Sequence, residues 1–153
     1  MATDLLHPYL AHHARRLGEF FGARIAYCAA DAEHLPFASQ SIDRLYSQMI
    51  LYRLPDPAQA IAEAWRVLAP HGHWLAVERA APWAQPWLAH ERARVAAETV
   101  AVGLSERAVT RHEWQELFAG LPARFTWAGG QVGRRILNAT RVKHLAIEVR
   151  RPA

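Results

Sequence analysis

The sequence predicts an α/β fold, a parallel sheet covered by helices that finishes in an antiparallel hairpin. Three observations carry the prediction. Short apolar runs alternate with amphipathic stretches at the spacing of crossover units over residues 1–78. Beyond Glu78 that alternation gives way to helical stretches and then to two strand-like runs separated by a glycine cluster. The composition, 52% hydrophobic and 21% charged with six tryptophans, is that of a packed globular chain, and 153 residues suit one domain.

Each element can be justified in order. Ala2-Thr3-Asp4 reads as the last residues of a buried strand, followed by a turn and helix over Leu5 to Leu17. Tyr9, Leu10, Ala14, Leu17 and Phe21 recur at helical spacing, and Pro8 suits the first turn, where its missing N–H costs nothing. Arg24 to Ala29 is a strand of the kind buried on both faces, with Cys28 as a small core residue. A polar stretch with Pro36 and Ser39 leads to a second buried strand, Ile42 to Leu51. The next helix has Asp56 as N-cap and Pro57 as first residue, an apolar stripe of Ile61, Ala64, Trp65 and Leu68, and a stop at Pro70 and Gly72. His73 to Glu78 is a third strand.

Trp83 to Val102 and Thr110 to Leu121 read as helices, the second with Trp114, Leu117 and Phe118 on one face. Phe125 to Ala128 and Val142 to Val149 read as strands that pair as a broad hairpin around Gly129, Gly130 and Gly133. The single domain thus divides into strands and helices of residues 1–78, a helical part of 79–121 and a hairpin of 122–153.

Composition also narrows the function classes. No run of about 18 apolar residues exists and no export signal is visible, so neither a membrane span nor secretion is expected and the location is read as cytoplasmic. One cysteine cannot form an internal disulfide, and the His12-His13 and His71-Gly72-His73 pairs lack ligand spacing, so no metal site is expected. Residues 107–153 hold nine basic and three acidic side chains, against nine and eleven in residues 1–106. The basic residues come as short arginine pairs without interleaved aromatics, which reads as a solvated face; nucleic-acid binding is the weakest of the functions considered.

Several ordered pieces between Asp31 and Glu78 carry more information than any one of them. They are Asp31-Ala32 with Leu35-Pro36-Phe37, Ser41-Ile42-Asp43, Leu54-Pro55-Asp56-Pro57, then Arg66-Val67-Leu68 with Pro70 and Gly72, and a final apolar strand. In this order and spacing the segment resembles the class I S-adenosylmethionine-dependent methyltransferases, in particular the small type related to quinone C-methylating enzymes. Ala2-Thr3-Asp4 falls where that family places its second strand.

The resemblance implies a Rossmann-like sheet, S-adenosylmethionine as cofactor and a small-molecule methyl acceptor. It implies that Asp4, at the carboxyl end of a strand, accepts from both ribose hydroxyls. Asp31 would accept from the adenine amine with the Ala32 backbone beside it, Leu5 and Leu35 would contact the ring faces, and Ser47 would lie in the stretch near the sulfonium. Tyr52 and His34 are the nearby groups able to take a proton, and neither is assigned as a base. Trp83 and Trp87 would either line an apolar or aromatic acceptor pocket or dock the helix that follows them.

One departure stands out. The glycine-rich turn that follows the family's first strand, and that strand itself, have no counterpart here; Gly129-Gly130-Gln131-Val132-Gly133 opens no helix and cannot replace it. The fold is therefore read as truncated at its amino end, with a gap between the strand ending at Asp4 and the one beginning at Ile42. Filling that gap requires direct pairing of the two neighbours or a polypeptide that supplies the absent part. Without it the chain alone is expected to be unstable and inactive. The competing expectation is a non-catalytic remnant or interaction module of the same fold.

Overall fold

The computed structural model describes residues 2–4, 26–80, 109–128 and 143–153, with the backbone alone at 2–4, 128 and 143. Two short strands, β1 (Ala2–Asp4) and β2 (Tyr27–Ala29), pair in parallel with Thr3 opposite Cys28. The larger sheet contains β3 (Ile42–Gln48), β4 (Leu68–Ala80), β5 (Ala123–Ala128) and β6 (Lys143–Arg150) in the order β3-β4-β6-β5. β3 runs parallel to β4, whereas β6 is antiparallel to both β4 and β5. The expected mixed sheet with a closing hairpin is therefore present. Its β5 and β6 form the antiparallel pair, and the segment joining them lies outside the described residues.

The two neighbours of the expected gap do not pair with each other. β1 belongs to the two-stranded sheet and β3 to the four-stranded one, so among the described residues β3 has β4 on one side and an open ladder on the other. This corrects the expectation of doubly buried strands. β3 alternates between half-buried and exposed positions, with Tyr46 58% exposed beside Leu75 on β4 at 37%. In β2, Tyr27 and Cys28 are half-buried and Ala29 is exposed, so Cys28 is no core residue. The physical reason is the same in both strands: an edge strand with one covered face retains water on the other.

Helix α1 (Pro57–Val67) forms where the sequence predicts, with Asp56 Oδ1 accepting from the Gln59 N–H at 3.1 Å and Pro57 in the first turn. It buries Pro57, Ala60, Ile61, Ala64 and Val67. It stops three residues before Pro70, because Leu68 already pairs with Ile42 as the first residue of β4. A step of two residues on β3, from Ile42 to Arg44, answers a step of five on β4, from Leu68 to His73; the bulge contains His71 at φ 60°. The histidine pair expected at a turn thus lies inside a strand.

Helix α2 (Arg111–Leu117) begins in a reciprocal cap: the Glu113 N–H donates to Thr110 Oγ1 at 3.2 Å and the Thr110 N–H to Glu113 Oε2 at 2.7 Å. It ends before the expected Leu121, and Gly120 at φ 87° completes the turn after it. The two helices share the face of the sheet that carries Trp74, Ala76, Leu145, Ile147 and Val149, all almost fully buried. Phe118 centres an aromatic cluster there, 5.2 Å from Trp74, 6.0 Å from Phe125 and 6.5 Å from Trp114 between ring centroids. Trp65, expected in the core, is only partly buried and stacks its ring 4.8 Å from the Arg151 guanidinium.

Arg151 also closes the end of α1. Its Nη1 donates to Trp65 O at 2.7 Å and Leu68 O at 2.9 Å, carbonyls that the helix itself leaves unpaired. The helix expected over Pro8 to Phe20 and the one expected over Trp83 to Val102 lie outside the described residues.

Candidate functional site

In an open sheet of parallel strands, ligands bind outside the carboxyl ends of those strands. Three segments meet there. The loop after β2 reaches the start of α1, since Glu33 Oε1 accepts from the Asp56 N–H at 2.8 Å and the Gln59 amide donates to Glu33 O at 3.2 Å. The turn after β3 is a single 3₁₀ turn, Leu51–Arg53, entered through Met49 at φ 57°. The end of β4 lies against that turn, with the Met49 N–H donating to Val77 O at 2.8 Å.

Asp31 follows β2 at this edge. Its Oδ1 accepts from the Glu33 N–H at 2.9 Å, its Oδ2 lies 3.4 Å from His34 Nδ1, and its side chain is 45% exposed. The carboxylate is thus held in one orientation by its own loop while staying open to solvent. Ala32 packs against the core. Leu35 is half-buried and tied to α1 through its N–H, which donates to Glu63 Oε2 at 2.8 Å, and through its carbonyl, which accepts from Arg66 Nη2 at 2.9 Å. Glu63 takes two hydrogen bonds from the same guanidinium, at 2.7 and 2.8 Å, and these hold its carboxyl below the usual carboxylate range. The clamp fixes the polar stretch after Asp31 along α1.

Ser47 is placed differently. Its Oγ accepts from Trp74 Nε1 at 3.0 Å, so the side chain is engaged on the helix-covered face, and its position near the strand's end is what it offers to the edge. Asp4 ends β1, and its side chain and the whole of Leu5 lie outside what is described. His34 is exposed at 75% of its side chain. Tyr52 is buried, its hydroxyl oxygen accepting from Arg53 Nε at 2.8 Å and its ring lying 5.3 Å from the Arg53 and 5.5 Å from the Arg79 guanidinium. Trp83 and Trp87 lie outside the described residues.

One residue at this edge was read from sequence merely as the end of a strand. Glu78 is fully buried on the same face of β4 as Trp74 and Ala76. Its Oε1 accepts from the N–H groups of Ile50 and Leu51 at 3.2 and 3.1 Å, while Oε2, also buried, has no hydrogen-bond partner among the described residues. Burial pushes this carboxyl above its ordinary range, against the pull of the backbone N–H groups and Arg53. The signal was available: an acid closing the apolar run Trp74-Leu75-Ala76-Val77 is as costly as Asp31 at the end of its own strand.

This fold, a mixed sheet with β3 and β4 parallel and an antiparallel β5–β6 pair, is that of a class I S-adenosylmethionine-dependent methyltransferase. In comparison with known proteins, residues 2–76, just under half of the chain, match the methyltransferase domain family model. Over 75 residues the chain is 36% identical to the ubiquinone/menaquinone biosynthesis C-methyltransferase UbiE of Methylobacterium nodulans, a match covering 49% of this chain and 30% of that enzyme. UbiE of Bartonella tribocorum is 43% identical over 54 residues, or 35% of this chain and 21% of the enzyme. The chain therefore spans less than a third of the length of these relatives. Among solved structures, the YcgJ protein of Bacillus subtilis superposes with a TM-score of 0.75 at 16% identity, covering 99% of this chain and 81% of that one. Phosphoethanolamine N-methyltransferase 2 of Haemonchus contortus, in complex with S-adenosyl-L-methionine, does so with a TM-score of 0.74 at 13% identity, covering 99% and 43%. Both show the fold.

Proposed function

We propose that this chain is part of a methyltransferase that binds S-adenosylmethionine across the carboxyl edge of β1 to β4 and transfers its methyl group to a small, apolar or aromatic acceptor. One observation supports the reading: the loop after β2 and the turn after β3 lie at one edge, bringing Asp31 and Glu78, two carboxylates, to the side where an open parallel sheet takes its ligand. Bound S-adenosylmethionine supplies an electrophilic methyl on a positively charged sulfur. The chain's own residues bind and align. Asp31, with one carboxylate face open, takes the adenine amine beside the Ala32 backbone; Leu35, pinned by Glu63 and Arg66, covers a ring face with Leu5; Asp4 takes the ribose; and Ser47 marks the strand end nearest the sulfur. Methyl transfer of this kind needs alignment and exclusion of water more than acid–base work, which agrees with the engagement of Tyr52 by Arg53.

The names of relatives support the acceptor class. UbiE is named a C-methyltransferase of ubiquinone/menaquinone biosynthesis. The reading includes a strand laid parallel along the open edge of β3, supplied by a polypeptide that carries the glycine-rich turn. The alternative, a non-catalytic interaction module, draws on the exposed Tyr46 and Leu75 face of the same sheet. Calorimetry with S-adenosylmethionine, on the 153-residue chain and on the chain extended by the residues encoded upstream, separates the two. Saturable binding by either form supports the methyltransferase; its absence from both leaves the interaction module.

A further inference from the structure

Glu78 presents a problem that folding alone does not solve. A carboxylate on the apolar face of β4 is among the most costly groups to bury, and its Oε2 has no hydrogen-bond partner among the described residues. Capping the 50–52 turn does not require the charge. A glutamine of the same shape would still accept from Ile50 and Leu51 through its amide oxygen, though more weakly than a carboxylate. The turn it holds is the one that ends β3 at the binding edge, and the cofactor assigned to that edge differs from its own reaction product by one positive charge on sulfur.

We infer that the buried carboxylate of Glu78 is the fixed countercharge for the cofactor's sulfonium, acting through its field across the 50–52 turn and not by contact. Resting on the methyltransferase reading, the inference deepens it by naming the residue that separates the charged cofactor from the neutral thioether left after transfer. Low-dielectric surroundings make such a field effective, because water cannot reorganise around a carboxylate that it does not reach. The charged and titratable groups that face Glu78 are few among the described residues. Arg53 lies on the turn beside Tyr52, Arg79 is its neighbour on β4, and His144 on β6 stands opposite Arg79. Arg53 is exposed, so water screens its pull on the carboxylate.

The test compares two ligands that differ in that charge. Calorimetry is run with S-adenosylmethionine and with S-adenosylhomocysteine on the wild-type chain and on Glu78→Gln, in whichever form of the chain binds. The expected result is a loss of about tenfold in S-adenosylmethionine affinity for the variant with S-adenosylhomocysteine affinity unchanged. The retained homocysteine affinity also shows that the variant is folded. In the wild-type chain the ratio of the two affinities should rise with pH as Glu78 ionises, and in Glu78→Gln that rise should disappear. Equal losses for both ligands, or no loss for either, overturn the inference and leave the methyltransferase reading intact. Failure of every form to bind either ligand overturns both.

Discussion

At Glu78 the sign of the pH dependence follows from burial. The folded-state carboxyl titrates above its ordinary value of 4.5, so between these two values the folded chain holds a proton that the unfolded chain has released. Stability from this group is present below pH 4.5 and is lost as pH rises through the folded value. Glu78→Gln is therefore expected to raise the melting temperature near pH 8, by about 2–4 °C for each kcal/mol recovered, and to leave it nearly unchanged near pH 4. A melting series across that range checks the slope, and a variant less stable than wild type at pH 8 would show that the charge helps folding. The residue scale is also where sequence and structure part most. Asp31 was legible because a carboxylate ending an apolar run needs a reason, and the structure gives it an oriented, half-open position. Ser47 was not, because its bond to Trp74 joins residues on different strands that only the parallel register brings side by side.

At the scale of elements, local rules read well wherever the signal was local. Asp56 and Pro57 start α1 and Thr110 starts α2 as caps because such hydrogen bonds span three residues of sequence. The end of α1 was misjudged for the converse reason. Leu68 has helical spacing in sequence, yet its backbone is claimed by Ile42, and Pro70 and Gly72 then serve a bulge and not a stop. Gly72 is held there by space: a Cβ would stand 2.6 Å from the Ala69 carbonyl oxygen and 2.9 Å from Leu68 Cγ. Gly72→Ala is expected to cost about 1–3 kcal/mol in urea unfolding, because the backbone on one side cannot yield. A cost below about 0.5 kcal/mol would mean that the bulge relaxes freely.

For the whole molecule, the parallel alternation predicted the class of fold, and the ordered pieces from Asp31 to Glu78 predicted its family. Among the described residues β1 and β3 belong to separate sheets, as the expected gap between them implies; what no local pattern could show is that they stay apart instead of closing on each other. Exposed Tyr46 beside Leu75 is the consequence on the surface. The far end of the chain behaves oppositely. Besides the Arg151 side chain on Trp65 and Leu68, the Arg151 N–H donates to Gly72 O at 3.0 Å and the His71 N–H to Pro152 O at 3.4 Å. Removing residues 151–153 is expected to cost about 2–4 kcal/mol in urea unfolding, the worth of two backbone bonds and two from a charged guanidinium. A loss below about 1 kcal/mol would show that water replaces them at the end of α1. Because β6 fills the sheet between β4 and β5, and Arg151 fastens α1, synthesis delivers the fastening 86 and 83 residues after the carbonyls it holds. A ribosome making this chain exposes α1 and one side of β4 before β6 and Arg151 follow, and these elements stay unfinished until then.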